Sequence, residues 1–385
     1  MLDNFVMFMA IILFITTVKA DLHKPDFSWD TLPVFIHTQN GTGPWSDAAA
    51  KAIAKYPLAT YEKTMAWDPS NPDTNWPEYH NTAACRQINE ASGNRTVSLY
   101  YLNSVIDYGM YLPHLQMQAH PEYRLQTVNG TFISVLGDAW GFNHSIDTVR
   151  EFWKKDCLDA IDAGCGGCYL DKSNTQTQPG SPQISQAQSD QWVQAHHQAL
   201  NEVIAELSEK PNRGTGGAFA VLNNQGDTQA VPGWRMMMLE DFGASEHCIT
   251  TLQTMVSRGL GVQAHAGDLK DGENSSTTGD GDACVNGGTN ALAVFLLGAG
   301  EYSYYHCAPK ADWISDPKWP AVPDPWLDWE PVTYIYIYIF PLTLSRIYIY
   351  RTIYARALSL SLFIYIYIYI STALIHSLKY VYIGV

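Results

Sequence analysis

The stretch GCYLDKSN at 167–174, together with RMMMLEDF at 235–242, decides the fold that this sequence predicts. Each stretch is an apolar run of strand length that ends in acids, Asp171 in the first and Glu240 and Asp241 in the second. Apolar runs without polar alternation are typical of parallel strands that are buried on both faces. An acid that ends such a strand lies at the rim of the sheet, where side chains are free to do chemistry.

Six further runs share this form, which makes eight predicted strands in all. The eight are PVFIH (33–37), LATYEK (58–63), VSLYYLN (97–103), CYLDK (168–172), AFAVLNN (218–224), MMMLED (236–241), GVQAH (261–265) and YSYYH (302–306). Helical patterns separate most of them, at 45–56, 78–92, 146–163, 186–209, 245–258 and 289–297. Eight alternating units predict an α/β fold, a closed (β/α)8 TIM barrel.

Two connections fit this barrel poorly. Residues 225–234 are too few for a helix, and the segment between strands 3 and 4 is long and rich in Trp, Gly and Asn. An open doubly wound sheet is therefore the alternative fold.

Carboxylates on alternate strands indicate the chemistry. Asp171 and Glu240 end strands 4 and 6, and alternate strands of a barrel contribute to the same interior layer. Two acids that face one cleft, one protonated and one ionised, are what cleavage of a glycosidic bond requires. Asp241 is a weaker competitor, because neighbouring strand residues point to opposite faces. The alternative is a non-catalytic role, in which each acid is an exposed loop residue or a helix N-cap.

The remaining polar strand ends and one loop aromatic are candidate ligands for a sugar. They are His37, Glu62, Lys63, Asn103, Trp140, Lys172, Asn223, Asp241, Gln263, His265 and Tyr305. Structural roles compete with this assignment. Glu62 and Lys63 would then form an ion pair at the rim, and Lys172 would face solvent. The histidines would be structural hydrogen-bond partners, and Trp140 would pack against its loop.

The first 20 residues predict a secretory signal peptide, with a signal anchor as the alternative. Five N-x-S/T sequons, which fit a glycosylated secreted protein, begin at Asn40, Asn94, Asn129, Asn143 and Asn274. The net charge of −15, without a basic run, argues against nucleic acid and anionic membranes. We expect a secreted monomer with a carbohydrate substrate, no cofactor, no metal and no membrane association beyond the signal.

Seven cysteines remain after the signal, so at least one is free if the others pair. Cys165 and Cys168 have redox or zinc spacing, but no second such motif accompanies them, so disulfides to other segments are favoured. From Tyr334 the chain alternates Tyr-Ile and Leu-Ser, as translated dinucleotide repeats would. We therefore expect residues 21–333 to form the catalytic domain and 334–385 to be a gene-model artefact or disordered tail, with a membrane hairpin as the alternative.

These residues carry a family resemblance over roughly 27–330. PVFIHTQN, FWKKDCLDAIDAGCGGCYLDKSN, RMMMLEDF and GAGEYSYYHC resemble hypothetical glycoside hydrolase family 15, whose members are inferred TIM barrels. In such families the strand 4 motif G-x-D-G-hydrophobic-x-x-D ends in an acid that Asp171 matches, although Gly166 replaces the first Asp. A looser resemblance to retaining α-galactosidase-like barrels implies that Asp171 is the nucleophile and Glu240 the acid/base.

The predicted function is thus a secreted glycoside hydrolase that cleaves O-glycosidic bonds of a polysaccharide or glycan. The alternative is a barrel that binds carbohydrate without hydrolysing it, which the incomplete strand 4 motif favours. A lyase or esterase is a third reading, but the chain carries no G-x-S-x-G nucleophile elbow.

Overall fold

A computed structural model of the chain describes ten stretches, the last of only two residues. They are residues 24–41, 44–63, 76–136, 139–173, 185–212, 216–223, 233–240, 242–266, 289–307 and 314–315. The predicted signal peptide (1–20), Asp241, Asn274 and the tail 334–385 lie outside these stretches.

Eight parallel strands form the barrel. They are β1 Ile36–Gln39, β2 Leu58–Tyr61, β3 Val97–Asn103, β4 Gly167–Asp171, β5 Phe219–Asn223, β6 Met236–Leu239, β7 Gly261–Ala266 and β8 Ser303–Cys307. Each pairs in parallel with the next, from β1 to β8. The barrel nearly closes where Phe35 N donates to Tyr305 O (3.2 Å) and Tyr305 N to Pro33 O (2.9 Å). The (β/α)8 prediction is confirmed, and the open-sheet alternative is wrong.

Within the described stretches, seven α-helices accompany the strands. They are α1 Asp47–Ile53, α2 Pro77–Ser92, α3 Pro113–Ala119, α4 Asp147–Asp162, α5 Gln186–Glu209, α6 Glu246–Ser257 and α7 Thr289–Gly298. Helix α5 begins with a reciprocal cap, in which Ser185 Oγ accepts from Gln188 N (3.3 Å) and Ser185 N donates to Gln188 Oε1 (3.1 Å). Helix α2 ends at Gly93, whose φ of 63° suits a residue without a side chain. Among the described residues, no helix is both long and apolar enough to span a membrane.

The long connection between β3 and β4 folds into a small unit of its own. Three short strands, Ile106–Asp107, Ser134–Leu136 and Ala139–Gly141, form an antiparallel sheet. Helix α3 and a 3₁₀ turn at Pro121–Tyr123 lie between the first two. This insertion explains why the connection fits a plain βα unit poorly.

Alternating residues of each strand fill the barrel interior. The apolar layers include Phe35, Leu58, Leu99, Tyr101, Tyr169, Phe219, Met236, Met238 and Tyr304. Gly167 is required in β4, because a Cβ there would lie 2.4 Å from Phe219 O and 2.9 Å from Leu99 Cδ2. The interior is therefore a packed core and not a channel.

Disulfides join β4 and the residue two positions before it to helices α2 and α4. Cys85 of α2 pairs with Cys165 just before β4, and Cys157 of α4 pairs with Cys168 within β4. The two cysteines of the CxxC motif thus go to different partners, which confirms the disulfide prediction. Cys248 is free.

Contacts divide the chain into two units. Residues 1–27 and 32–327 make the first, which holds the barrel, and residues 28–31 and 328–385 the second. Of the second unit only Ser28–Thr31 is described, a bend in which Ser28 Oγ lies 3.1 Å from Asp30 Oδ2.

Candidate active site

Each barrel strand carries an inward-facing polar residue near its carboxyl end or one residue beyond it. By strand alternation these residues follow the apolar layers at the carboxyl ends of the strands. We call them the polar ring: His37, Glu62, Asn103, Asp171, Asn223, Glu240, His265 and His306. The sequence predicted seven of the eight and chose Tyr305 in place of His306.

Asp171 lies at the centre of a dense hydrogen-bond network. Its Oδ2 accepts from Tyr101 OH (2.6 Å) and Asn103 Nδ2 (2.9 Å). Its Oδ1 accepts from Asn223 Nδ2 and from Lys172 N, both at 2.8 Å. Lys172 reaches back in this way because its φ is 56°, in the left-handed region that non-glycine residues seldom adopt. Four donors on two oxygens make an environment suited to an ionised carboxylate.

Glu240 shares a donor with Asp171. The amide nitrogen of Asn223 also donates to Glu240 Oε2, at 3.0 Å. Since Asp171 Oδ1 and Glu240 Oε2 lie 2.8 and 3.0 Å from one nitrogen, they are at most about 5.8 Å apart, the sum of the two distances. The structure therefore brings the two predicted carboxylates together across β5.

Two buried histidines support the backbone at Asp171 from outside the barrel. Ser104 N and Oγ both donate to Asp171 O, at 2.9 and 2.8 Å. His196 Nε2 lies 2.9 Å from Ser104 Oγ, and His144 Nε2 lies 2.6 Å from Ser104 O. Because a carbonyl only accepts, His144 carries its proton on Nε2. Burial lowers the pKa of His144 to about 4 and that of His196 well below its usual value, so both rings are neutral near pH 7.

A second charged group of the polar ring lies at the end of β2, two strands before Asp171. Glu62 Oε1 lies 2.9 Å from His37 Nε2, and Glu62 Oε2 lies 2.7 Å from Lys63 Nζ. Burial alone would raise the pKa of Glu62, but the hydrogen bond from His37 and the charge of Lys63 lower it to about 2. Lys63 Nζ also lies 5.2 Å from the ring centroid of Tyr101, which links this group to Asp171.

The remaining ring histidines pack against one another. His265 and His306 stack with centroids 5.4 Å apart, and His265 lies 6.3 Å from His37. Burial lowers the pKa of His306 to about 3 and that of His265 well below its usual value, so both are uncharged near pH 7. Gln263, one layer deeper, reaches Thr60 Oγ1 at 3.5 Å. Among the described residues, no cluster of three or more His, Cys, Asp or Glu is arranged to hold a metal ion.

Some predicted ligands lie elsewhere. Tyr305 packs outward against Phe295 of α7, with centroids 5.4 Å apart, because it alternates with the inward His306. Tyr305 therefore faces away from the polar ring and is not positioned to bind a sugar there. Trp140 lies in the insertion, where it stacks on His114 (4.9 Å) and under the guanidinium of Arg124 (3.3 Å). These contacts favour the loop-packing role.

The sequons differ in accessibility. Asn40 is fully buried and its Nδ2 donates to Pro44 O at 3.0 Å, which argues against a glycan there. Asn143 is half-buried, and its Oδ1 accepts from Ser145 Oγ at 2.5 Å. Asn94 and Asn129 are exposed and able to carry a glycan.

A model of hypothetical glycosyl hydrolase family 15 matches residues 94–328, well over half of the chain. The chain belongs to this family. The family 15 match begins just before β3 and so covers both Asp171 and Glu240. Among the curated proteins, none matches the sequence.

Solved glycoside hydrolase structures resemble this family 15 chain in fold. The glycoside hydrolase domain of PelA from Pseudomonas aeruginosa has 10% identity and a TM-score of 0.41, over 62% of this chain and 84% of that domain. Ega3 of Aspergillus fumigatus, in complex with galactosamine, has 11% identity and a TM-score of 0.41, over 74% and 96%. The glucosidase II alpha subunit bound to Glc1Man2 has 10% identity and a TM-score of 0.47, over 79% and 34%.

Proposed function

We propose that this protein is a secreted, retaining glycoside hydrolase with Asp171 as nucleophile and Glu240 as acid/base. One observation carries the proposal: the Asn223 amide bridges the two carboxylates and limits the separation of the bridged oxygens to about 5.8 Å. Retaining enzymes hold their carboxyl groups about 5–5.5 Å apart, whereas inverting enzymes need about 6.5–9.5 Å to admit a water.

The reaction follows from the different surroundings of the two acids. Asp171 Oδ1, on the side of Glu240, attacks the anomeric carbon while protonated Glu240 gives its proton to the departing glycosidic oxygen. Glu240, now ionised, takes a proton from water, whose oxygen attacks the same carbon and breaks the bond to Asp171. The product then has the original configuration, and Glu240 is protonated again.

Other members of the polar ring supply the surroundings of the sugar. The neutral rings of His265 and His306 offer both a donor and an acceptor, and Asn223 adds its Oδ1 as an acceptor, which hydroxyl groups require. Glu62 and Lys63 add a fixed carboxylate and ammonium at the same end of the barrel. We propose that His37, Glu62, Lys63, Asn103, Asn223 and His265 line the sugar-binding cleft.

Secretion is part of the proposal. Two disulfides around β4 support an oxidising compartment, because such bonds are rare in reducing ones. We expect protein recovered from the medium of expressing eukaryotic cells to carry N-glycans at the exposed Asn94 and Asn129. Removal of both sequons should reduce the mobility shift on enzymatic deglycosylation, and an unchanged shift would refute this assignment.

The test combines variants with covalent trapping. A panel of aryl glycosides and glycans identifies a substrate for the wild type, and a matching 2-fluoro glycosyl fluoride should then label the peptide that contains Asp171. Asp171→Asn should lose activity by orders of magnitude, and Glu240→Gln by about 10²–10⁴-fold on substrates with poor leaving groups. Asp190→Asn, which changes an exposed acid on α5, should leave activity unchanged.

The same experiment separates the alternatives. Wild-type activity in Asp171→Asn would refute the assignment of Asp171 as the nucleophile. Asp241→Asn tests the neighbouring acid in the same assay. Glycan affinity without turnover, unaffected when both carboxylates are neutralised, would favour the carbohydrate-binding protein.

A further inference from the structure

The nucleophile candidate depends on a tyrosine that lies one layer below the polar ring. Tyr101 OH donates to Asp171 Oδ2 at 2.6 Å, the shortest hydrogen bond to that carboxylate. The same hydroxyl oxygen accepts from Asn103 Nδ2 at 3.2 Å. Its hydrogen is therefore directed at Asp171, while its lone pair is occupied by a neighbour.

The packing around Tyr101 leaves it little freedom to turn away. The side chain is fully buried, and its ring lies 5.9 Å from the ring of Tyr169 and 6.5 Å from that of Tyr111. Lys63 Nζ lies 5.2 Å from its centroid. Tyr111 OH in turn donates to Lys63 O at 2.9 Å, which holds the backbone at Lys63.

Tyr101 also remains a donor over the whole useful pH range. Burial raises the pKa of its hydroxyl well above the ordinary value, and the negative charges of Asp171 and Glu62 raise it further. It therefore donates a hydrogen bond and does not act as a base.

We propose that Tyr101 is a positioning residue that stabilises Asp171 Oδ2 as the glycosyl-enzyme ester breaks down. The inference rests on the proposed retaining function. Asp171 Oδ1 carries the sugar in the intermediate, and Oδ2 is then the carbonyl oxygen of the ester, a weak acceptor. When water attacks the anomeric carbon and the bond from that carbon to Oδ1 breaks, negative charge returns to the carboxylate. The hydrogen bond from Tyr101 strengthens at that point, so it favours the second step over the first.

The expected signature of Tyr101→Phe is a split between kinetic constants. Loss of one hydrogen bond to a charged group should slow hydrolysis of the intermediate by about 10- to 100-fold. Because kcat/KM reports the first step, kcat and KM should fall together while kcat/KM changes little.

Tyr169→Phe is the matched control. Tyr169 lies opposite Tyr101 in the β3–β4 register and also faces the barrel interior, but its hydroxyl donates to Met238 Sδ at 2.9 Å. A general loss of packing would affect both variants alike, whereas the kinetic split should occur in Tyr101→Phe alone.

The measurement is the rate of reactivation of the 2-fluoroglycosyl enzyme, with burst kinetics on an activated aryl glycoside. Slower reactivation in Tyr101→Phe and wild-type reactivation in Tyr169→Phe support the proposal. Wild-type reactivation in Tyr101→Phe, or equal slowing in both, overturns it while the retaining mechanism stands. A wild-type enzyme that forms no covalent intermediate overturns both.

Discussion

His144→Gln should make the protein less sensitive to acid. His144 is buried beside Ser104, and its Nε2–H donates to Ser104 O. A glutamine amide reaches a similar distance and keeps this donor, but it does not titrate. The substitution therefore removes the ionisable group while it preserves the contact that supports the backbone at Asp171.

The magnitude follows from the pKa of His144. Burial lowers it from 6.5 to about 4, so between these pH values the unfolded chain binds more protons than the folded one. Stability then rises with pH across this window, and the contribution of neutral His144 is lost as pH falls from 6.5 towards 4. At pH 4.5 the loss is about 2–3 kcal/mol relative to pH 7.5, at about 1.36 kcal/mol per pKa unit.

Urea denaturation of both proteins from pH 4.5 to 7.5 measures this difference. Other groups shape the absolute curve; burial raises the pKa of Asp156 to about 7, which gives a slope of opposite sign. Their contributions cancel in the difference between variant and wild type. The variant should be relatively more stable by about 2–3 kcal/mol at the acidic end. Parallel curves across the range would refute the assignment of His144 as a buried neutral ring.

Three further substitutions test the site and the fold. Asn223→Ala removes one hydrogen bond to each carboxyl group of the pair, so kcat/KM on a wild-type substrate should fall by about 10²–10⁴-fold, and a loss below tenfold would deny its bridging role. Gly167→Ala should lower the free energy of unfolding by about 1–3 kcal/mol, because the new Cβ would overlap Phe219 O; an unchanged denaturation midpoint would contradict this. Replacing Cys85 and Cys165 by Ser together should cost about 2–5 kcal/mol in the same assay, and an unchanged midpoint would mean that the bond does not stabilise the fold.

The barrel was predictable because its helices and strands have sequence patterns that extend over many residues. Helix α5 has an N-terminal cap at Ser185 and a sustained apolar face, and the structure begins and ends it at the predicted residues. The insertion was not predictable, since its strands of two or three residues are too short for a periodic pattern.

The site was predictable in part, for a related reason. Polar residues at strand ends identified most of the polar ring. Which of two neighbouring strand residues faces the interior depends on the strand register, and the sequence leaves that register open. Tyr305 was chosen and His306 passed over for this reason. Tyr101 escaped notice because a tyrosine inside an apolar strand is also an ordinary core residue, and only its contact with Asp171 distinguishes it.

The alternation of inward-facing and outward-facing residues at the carboxyl ends of the strands has a consequence for errors in folding. Each of the strands β4, β5 and β6 carries a leucine directly before its polar-ring residue: Leu170, Leu222 and Leu239. A slip of one residue in β5 would present Leu222 in place of Asn223 and send the amide outward into the helical layer. Such a slip would separate the carboxylates from their common donor and bury a polar group among apolar side chains at once. Correct pairing of these strands is thus coupled to assembly of the candidate site, and a misregistered barrel would be unstable and would lack that site.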